Sequence, residues 1–301
     1  MQNKAKRYPG ESKWKGLLYL LPALLLYLIF TFLPILETIR SSFFQAESLY
    51  GARSFVWFQN YVKLFQDSQF LSALRNNLVF IFFYSFLPIS FGLFLASFLA
   101  RVRVPGMRLF RTLYFIPQVL SMVVVGVMWR WMYDPNIGPI NVFLRWLGLD
   151  QLAQAWLGSF TFALPAVGMA AAWVQYGFCM VLFLSGIQRI PEELYEATSL
   201  DGANAFRQFW HVTLPGLMPE LSVALMTTII AALRVFDLVF AMTKGAPGGS
   251  TEVTGLLIYR WAFELNNHSY AATMATVLTL IILLMSLVIR RVFKQSEKGA
   301  L

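Results

Sequence analysis

Apolar residues run through this chain in long blocks, with short polar segments between them. A membrane-crossing helix needs about 20 mostly apolar residues. Six blocks meet that length, at about 16–37, 76–100, 108–132, 160–186, 216–242 and 270–292. Pro22, Pro88, Pro117 and Gly168 lie inside them, and membrane helices tolerate such residues where neighbours satisfy the freed backbone groups. The pattern predicts an all-α, polytopic membrane protein with six transmembrane helices and a single transmembrane domain over 1–301.

Composition sharpens this. The chain is 58% hydrophobic and 13% charged, whereas soluble domains carry roughly 25% charged residues, so a soluble globule is excluded. The first block follows the basic stretch MQNKAKRYPGESKWK. It is longer than the roughly 7–15-residue core of a secretory signal and reads as a retained first span.

A net charge of +9 raises the question of nucleic acid. The basic residues collect at the ends of apolar blocks, which is the habit of a topology signal, so the expected surroundings are a lipid bilayer and no nucleic acid. With the N-terminus inside, the inner segments 1–15, 101–111, 187–215 and 290–301 hold fifteen Lys and Arg, and the outer segments 38–75, 130–159 and 243–269 hold eight. The positive-inside rule then gives an N-in, C-in chain.

Several chemistries are missing from the sequence. No G-x-x-x-x-G-K-[ST] occurs, and GAPGGST lacks the lysine that cradles phosphates, so the chain is not expected to bind nucleotide. One cysteine and two well-separated histidines argue against a metal site. No acid, base or metal constellation suggests an enzyme.

One inner segment stands out: EELYEATSLDGANAFRQFWHVTLPGLMP, residues 192–219. Pro191 followed by Glu192 and Glu193 is a helix start, because proline suits the first turn and acids complement the positive end of the helix dipole. Leu200, Ala203, Phe206 and Trp210 recur at helical spacing, partly segregated from Glu193, Glu196 and Asp201. A short amphipathic helix along the membrane is expected, with Gly202 as a bend or close-approach position and Pro215 and Pro219 redirecting the chain. The segment reads either as a solvated loop packed at the interface or as a docking helix. The inner segment 187–215 around it holds only two Lys and Arg against four acids, which departs from the inside habit and favours docking.

The residues here carry a resemblance. Glu196-Ala197-Thr198-x-x-Asp201-Gly202-Ala203, then Phe209, then Val212-Thr213-Leu214-Pro215 resembles the EAA loop of ABC-importer permeases, departing at Thr198 where alanine is usual. Phe236-Asp237, Thr243-x-Gly245-x-Pro247, Ser250-Thr251 and Tyr259-x-x-Ala262-Phe263 resemble the carbohydrate-uptake subfamily of the maltose and glycerol-3-phosphate importers. The resemblance covers about 16–292. It implies the type I ABC importer permease architecture, with the segment 187–215 as a coupling helix seated on a cytoplasmic ATPase. Glu193, Glu196, Ala197, Asp201, Gly202, Ala203, Phe209, Leu214 and Pro215 would form that contact. The implied partners are a second permease subunit, a cytoplasmic ATPase dimer that binds ATP and Mg, an extracytoplasmic solute-binding protein and a sugar. No cofactor is expected on this chain.

Transporter sites lie near the bilayer midplane. Gln175 and Tyr176 are a polar pair in the fourth block, and Thr227 and Thr228 in the fifth. Such threonines can simply bond their own helix, and Tyr176 can pack against a neighbour. The resemblance places Gln175, Phe178, Thr228 and Ala232 at sugar-lining positions. Arg234 and Asp237 are one turn apart in the outer third of the fifth block. They read as a self-neutralising pair at an outer gate; an unpaired Arg234 would favour an anionic substrate. A stand-alone secondary transporter is the competing reading, but only Asp237 offers an acid for ion coupling inside a span.

Overall fold

The structure is a computed structural model, and it describes residues 13–45, 54–101 and 106–299. The chain is helical almost throughout, and four single helices and two bent helix pairs are long and apolar enough to cross a membrane. The first span is Leu18–Ser41, the second Ser68–Ala100, the fourth Ala163–Ile187 and the sixth His268–Phe293. The third is the pair Leu109–Val119 and Met122–Met132, bent by 98°, and the fifth begins with Ala205–Gly216 and Met218–Leu233, bent by 70°.

The second span starts earlier than expected, at Ser68 rather than 76. The Asp67 carboxylate caps it, accepting from the backbone N–H groups of Gln69 at 2.9 Å and Phe70 at 3.4 Å, which satisfies donors the helix start leaves free. A π-helical turn, Phe82–Phe86, interrupts its middle.

Two expected continuous spans are broken. The third leaves the helix at Leu120 and Ser121, which are both extended, three residues beyond Pro117. The fifth stops at Leu233 and resumes as Asp237–Met242. The carbonyls of Ala232 and Leu233 accept from Asn77 Nδ2 at 3.1 and 3.2 Å, so a fully buried amide of the second span replaces the lost helical partners. A short helix, Pro139–Trp146, follows the third span.

The fourth span sits at the centre. Ala166, Val167, Ala170, Ala171 and Val174 are buried in one cluster with Phe80, Tyr84, Val125 and Leu238, and Cys179, Phe183 and Leu184 in another with Ile89 and Leu217. Small residues let helices approach closely where lipid is as apolar as leucine and burial alone does not drive association. At Gly177 the approach is extreme, since a Cβ there would collide with the Tyr114 carbonyl oxygen of the third span. The outer half of the third span packs mainly on Asp237–Met242.

The first span is mostly apolar from Leu18 to Leu36 and none of those residues is buried, as befits a helix facing hydrocarbon, while its last turns, Leu33–Ser41, pack against the sixth span. Its outer end is tied down. Thr273 Oγ1 and Asn60 Nδ2 donate to the Ser42 carbonyl at 3.1 and 2.9 Å.

Candidate functional site

Two regions hold the residues singled out by the sequence. The segment 192–219 does not form one helix. Glu192–Leu200 is helical, Ala205–Gln208 is a second short helix, and Phe209–Thr213 is a π turn. Gly202 explains the break: its φ is +76°, and its N–H donates to the Ser199 carbonyl at 3.0 Å while that of Ala203 donates to Thr198 at 2.9 Å. These are the two bonds of a Schellman cap, which calls for glycine at the left-handed position. Nothing lies within 4 Å of where a Gly202 Cβ would stand, so the glycine serves the turn and not a close approach within this chain. Asn204 then starts the next helix, its Oδ1 accepting from the Arg207 N–H at 3.0 Å.

The apolar residues Leu200, Phe206 and Trp210 are not buried within this chain. Leu200 is 90% exposed, Phe206 69% and Trp210 50%, because the turn at Gly202 carries Leu200 onto a different helix from Phe206 and Trp210. The acids Glu192, Glu193, Glu196 and Asp201 are all exposed. Among the described residues, none of the four joins an ion pair. Ala197 and Pro215 are exposed too, while Ala203, Phe209 and Leu214 are half-buried.

The second region is a cavity of about 390 Å³ lined by Tyr84, Met122, Thr227, Ile230, Ala231, Arg234, Val235, Phe236, Asp237 and Leu238. That volume lies in the range of small-molecule sites. Three irregularities meet there: the π turn of the second span with Tyr84, the break of the third span beside Met122, and the break of the fifth around Phe236. Non-helical backbone at membrane depth is tolerated where it is buried in protein or lines a cavity.

Arg234 and Asp237 both line this cavity and both are exposed to it. They do not form the expected pair, and no ion pair joins them among the described residues. The helix ends at Leu233 and Phe236 has a non-helical backbone, φ −143° and ψ −58°, so the i, i+3 geometry that would bring the side chains together is absent. Each charge is therefore available to a ligand.

The other expected path residues do not gather here. Thr228 is fully buried; its hydroxyl donates to the Ala224 carbonyl at 2.7 Å and lies 2.6 Å from Ser85 Oγ. Ala232 is buried at the Asn77 contact. Gln175 is buried in the fourth span. Phe178 packs against the inner cluster, and Tyr176 makes edge contacts with Phe91 and Tyr114. Thr227, Ile230, Ala231 and Arg234 are the cavity face of the fifth span, at the 3-and-4 spacing of one helix side. That spacing was available in the sequence and separates Thr227 from Thr228. Tyr84 carried a weaker signal, a phenol inside the apolar run FFYSF. Among the described residues, no three His, Cys, Asp or Glu side chains gather in a metal-holding group.

Taken together, the helical bundle, its broken spans around a cavity and the polar inner segment define a polytopic membrane permease. The chain belongs to the family of binding-protein-dependent transport system inner membrane components, which it matches over residues 89–299. It is 37% identical to the probable ABC transporter permease protein YurN of Bacillus subtilis, over 96% of this chain and 99% of that one. It is 32% identical to the multiple sugar-binding transport system permease protein MsmF of Streptococcus mutans, over 95% and 97% of the two chains. Its fold is similar to that of a bacterial ABC transporter involved in the import of the acidic polysaccharide alginate, with a TM-score of 0.79, 24% identity and 94% and 96% coverage.

Proposed function

We propose that this chain is one of two permease subunits of an ATP-driven importer that takes a sugar or sugar derivative from an extracytoplasmic binding protein. It sits N-in and C-in in the inner or plasma membrane of a bacterium or archaeon. ATP and Mg are held by a cytoplasmic ATPase dimer, and this chain performs no covalent chemistry and holds no cofactor. The observation that carries the reading is the row of exposed, unpaired acids on Glu192–Leu200, closed by the glycine turn of the EAA-like motif. Such a surface fits a cleft with donor groups on the ATPase. The sugar follows from the curated relatives, one of which is named for multiple sugars, and from the cavity. Tyr84 and Phe236 offer rings for C–H faces, and Thr227, Arg234 and Asp237 offer groups for hydroxyls.

The test is to tag the chain, solubilise native membranes mildly and identify what co-purifies. Recovery of an ATPase, a second permease and a binding protein, with loss of the ATPase in Glu196→Lys, is the expected result. A chain recovered alone that transports in proteoliposomes without ATP overturns the reading in favour of a secondary transporter.

A further inference from the structure

The cytoplasmic segment leaves the fourth span at Gln188 and rejoins the fifth at Met218. A segment that receives motion and passes it on must not fold at its own turns. It has two candidate hinges, the root where it joins the membrane helices and the glycine turn at 201–203, and side chains bridge both.

At the root, Arg189 Nη1 lies 3.3 Å from Glu220 Oε1. Arg189 follows the fourth span and Glu220 lies in the first turn of Met218–Leu233, so the contact spans the entry and exit of the segment. The Glu220 side chain is only 9% exposed. It lies in the first turn of its helix, and Arg189 is the basic group that meets it. Beside it, Ile190 packs against Gly216.

The glycine turn is bridged separately. Tyr195 Oη lies 3.0 Å from Thr213 Oγ1, and Thr213 is buried, so the outgoing helix is joined to the returning π turn. Gln208 Nε2 donates to Ser199 Oγ at 2.7 Å and to the Tyr195 carbonyl at 3.3 Å, holding the second short helix onto the first.

Resting on the function proposed above, we infer that Arg189 with Glu220, and Tyr195 with Thr213, are positioning residues that make residues 188–219 a rigid lever. The lever moves the inner ends of the fourth and fifth spans together when the ATPase moves the helix Glu192–Leu200. These residues touch neither nucleotide nor transported solute. They set how much transport each hydrolysed ATP yields.

The experiment uses the whole transporter in proteoliposomes, with uptake and ATP hydrolysis measured together. The wild-type complex is measured first. Absence of ATP-driven uptake there overturns the function reading itself. Given such uptake, two variants judge the lever. In Glu220→Gln the carboxylate is lost with its shape kept. ATP hydrolysis stimulated by liganded binding protein persists, while ATP consumed per solute rises at least about fivefold, the lower end of ordinary coupling strengths. An unchanged ratio overturns the inference.

The second variant, Tyr195→Cys with Thr213→Cys, is joined by a short bifunctional thiol reagent; Cys179 is buried and stays out of the reaction. A rigid lever keeps this tie closed, so the unlinked variant, which lacks it, spends more ATP per solute than wild type and linking brings the ratio back down. A ratio that linking leaves unchanged overturns the inference. Uptake that stops on linking and returns on reduction shows that the tie must open, and overturns the inference.

Discussion

Asn77 and Thr254 are 177 residues apart in sequence, yet Asn77 Oδ1 accepts the Thr254 backbone N–H at 2.8 Å. The same amide donates to the Ala232 and Leu233 carbonyls. One fully buried side chain thus joins the second span, the break in the fifth and the outer helix Thr254–Tyr259. Asn76 continues the seam, donating to the carbonyls of Ser250 at 3.1 Å and Glu252 at 2.8 Å.

Asn77→Ala removes the partner of the buried Leu233 carbonyl and Thr254 N–H and leaves the Ala232 carbonyl with only weak backbone donors. A buried unsatisfied group costs about 1–3 kcal/mol, so we expect the largest loss of thermal stability of any single polar substitution in the spans. Asn77→Asp keeps the acceptor for Thr254 but sets a buried carboxylate oxygen against two carbonyl oxygens, so it melts near alanine rather than between alanine and wild type. Thermal melting of the purified complex in detergent checks the order.

Thr227 and Thr228 are neighbours with opposite duties. Thr228→Val strands Ser85 Oγ in the core and lowers stability by about 1–3 kcal/mol, with little effect on the apparent affinity of uptake. Thr227→Val leaves stability near wild type, because that hydroxyl sits on the exposed face, and it raises the KM for uptake. A stability change at 227 and an affinity change at 228 would reverse the assignment.

Arg234→Ala and Asp237→Ala each remove an unpaired charge from the cavity. Loss of a charge-assisted hydrogen bond to a ligand, about 1.5–3 kcal/mol, predicts roughly a tenfold or greater rise in KM. Assembly with the other subunits is expected to stay intact. If the two carboxylate and guanidinium groups were only a structural pair, the double variant would transport better than either single one.

Glu252 introduces a pH dependence on the outer side. Burial pushes its carboxyl above the ordinary value, and the Arg260 guanidinium, which contacts it, opposes that shift. The folded state therefore holds this proton more tightly than the unfolded chain. The resulting stabilisation is fully present below 4.5, the ordinary value, and is lost as pH rises through the raised one. Melting of wild type and Glu252→Gln across that window should converge at high pH in slope, since only wild type titrates there.

Much of the fold was legible because the dominant signal, six apolar blocks, is a property of composition and length. The breaks were not. Nothing in the run 216–242 announces that the helix stops at Leu233, because the group that permits the stop, Asn77, lies on another span. The same holds for Arg234 and Asp237, whose spacing suggests a helical pair while the backbone between them is not helical. Gly202 was legible as a bend or close-approach position, and within this chain the structure shows the bend, with a positive φ and no near neighbour. Gly202→Ala is accordingly expected to cost about 1 kcal/mol or more in the turn without any steric clash. Gly177→Ala drives a methyl into a backbone carbonyl and costs about 1–3 kcal/mol through overpacking. Comparing expression and melting of the two variants separates strain from collision.

The third span carries a consequence beyond its own length. Its inner half is fixed to the fourth span at Tyr114 and Gly177, and its outer half to Asp237–Met242. Between them stand only Leu120 and Ser121. The outer half also holds the fourth span, Tyr133 Oη donating to the Ala166 carbonyl at 3.1 Å and Trp129 meeting the Trp173 ring, so a change of angle between the two halves falls on the φ and ψ of those two residues. They adjoin Met122 on the cavity wall, so the torsion of one short joint sets the width of the chamber beside it.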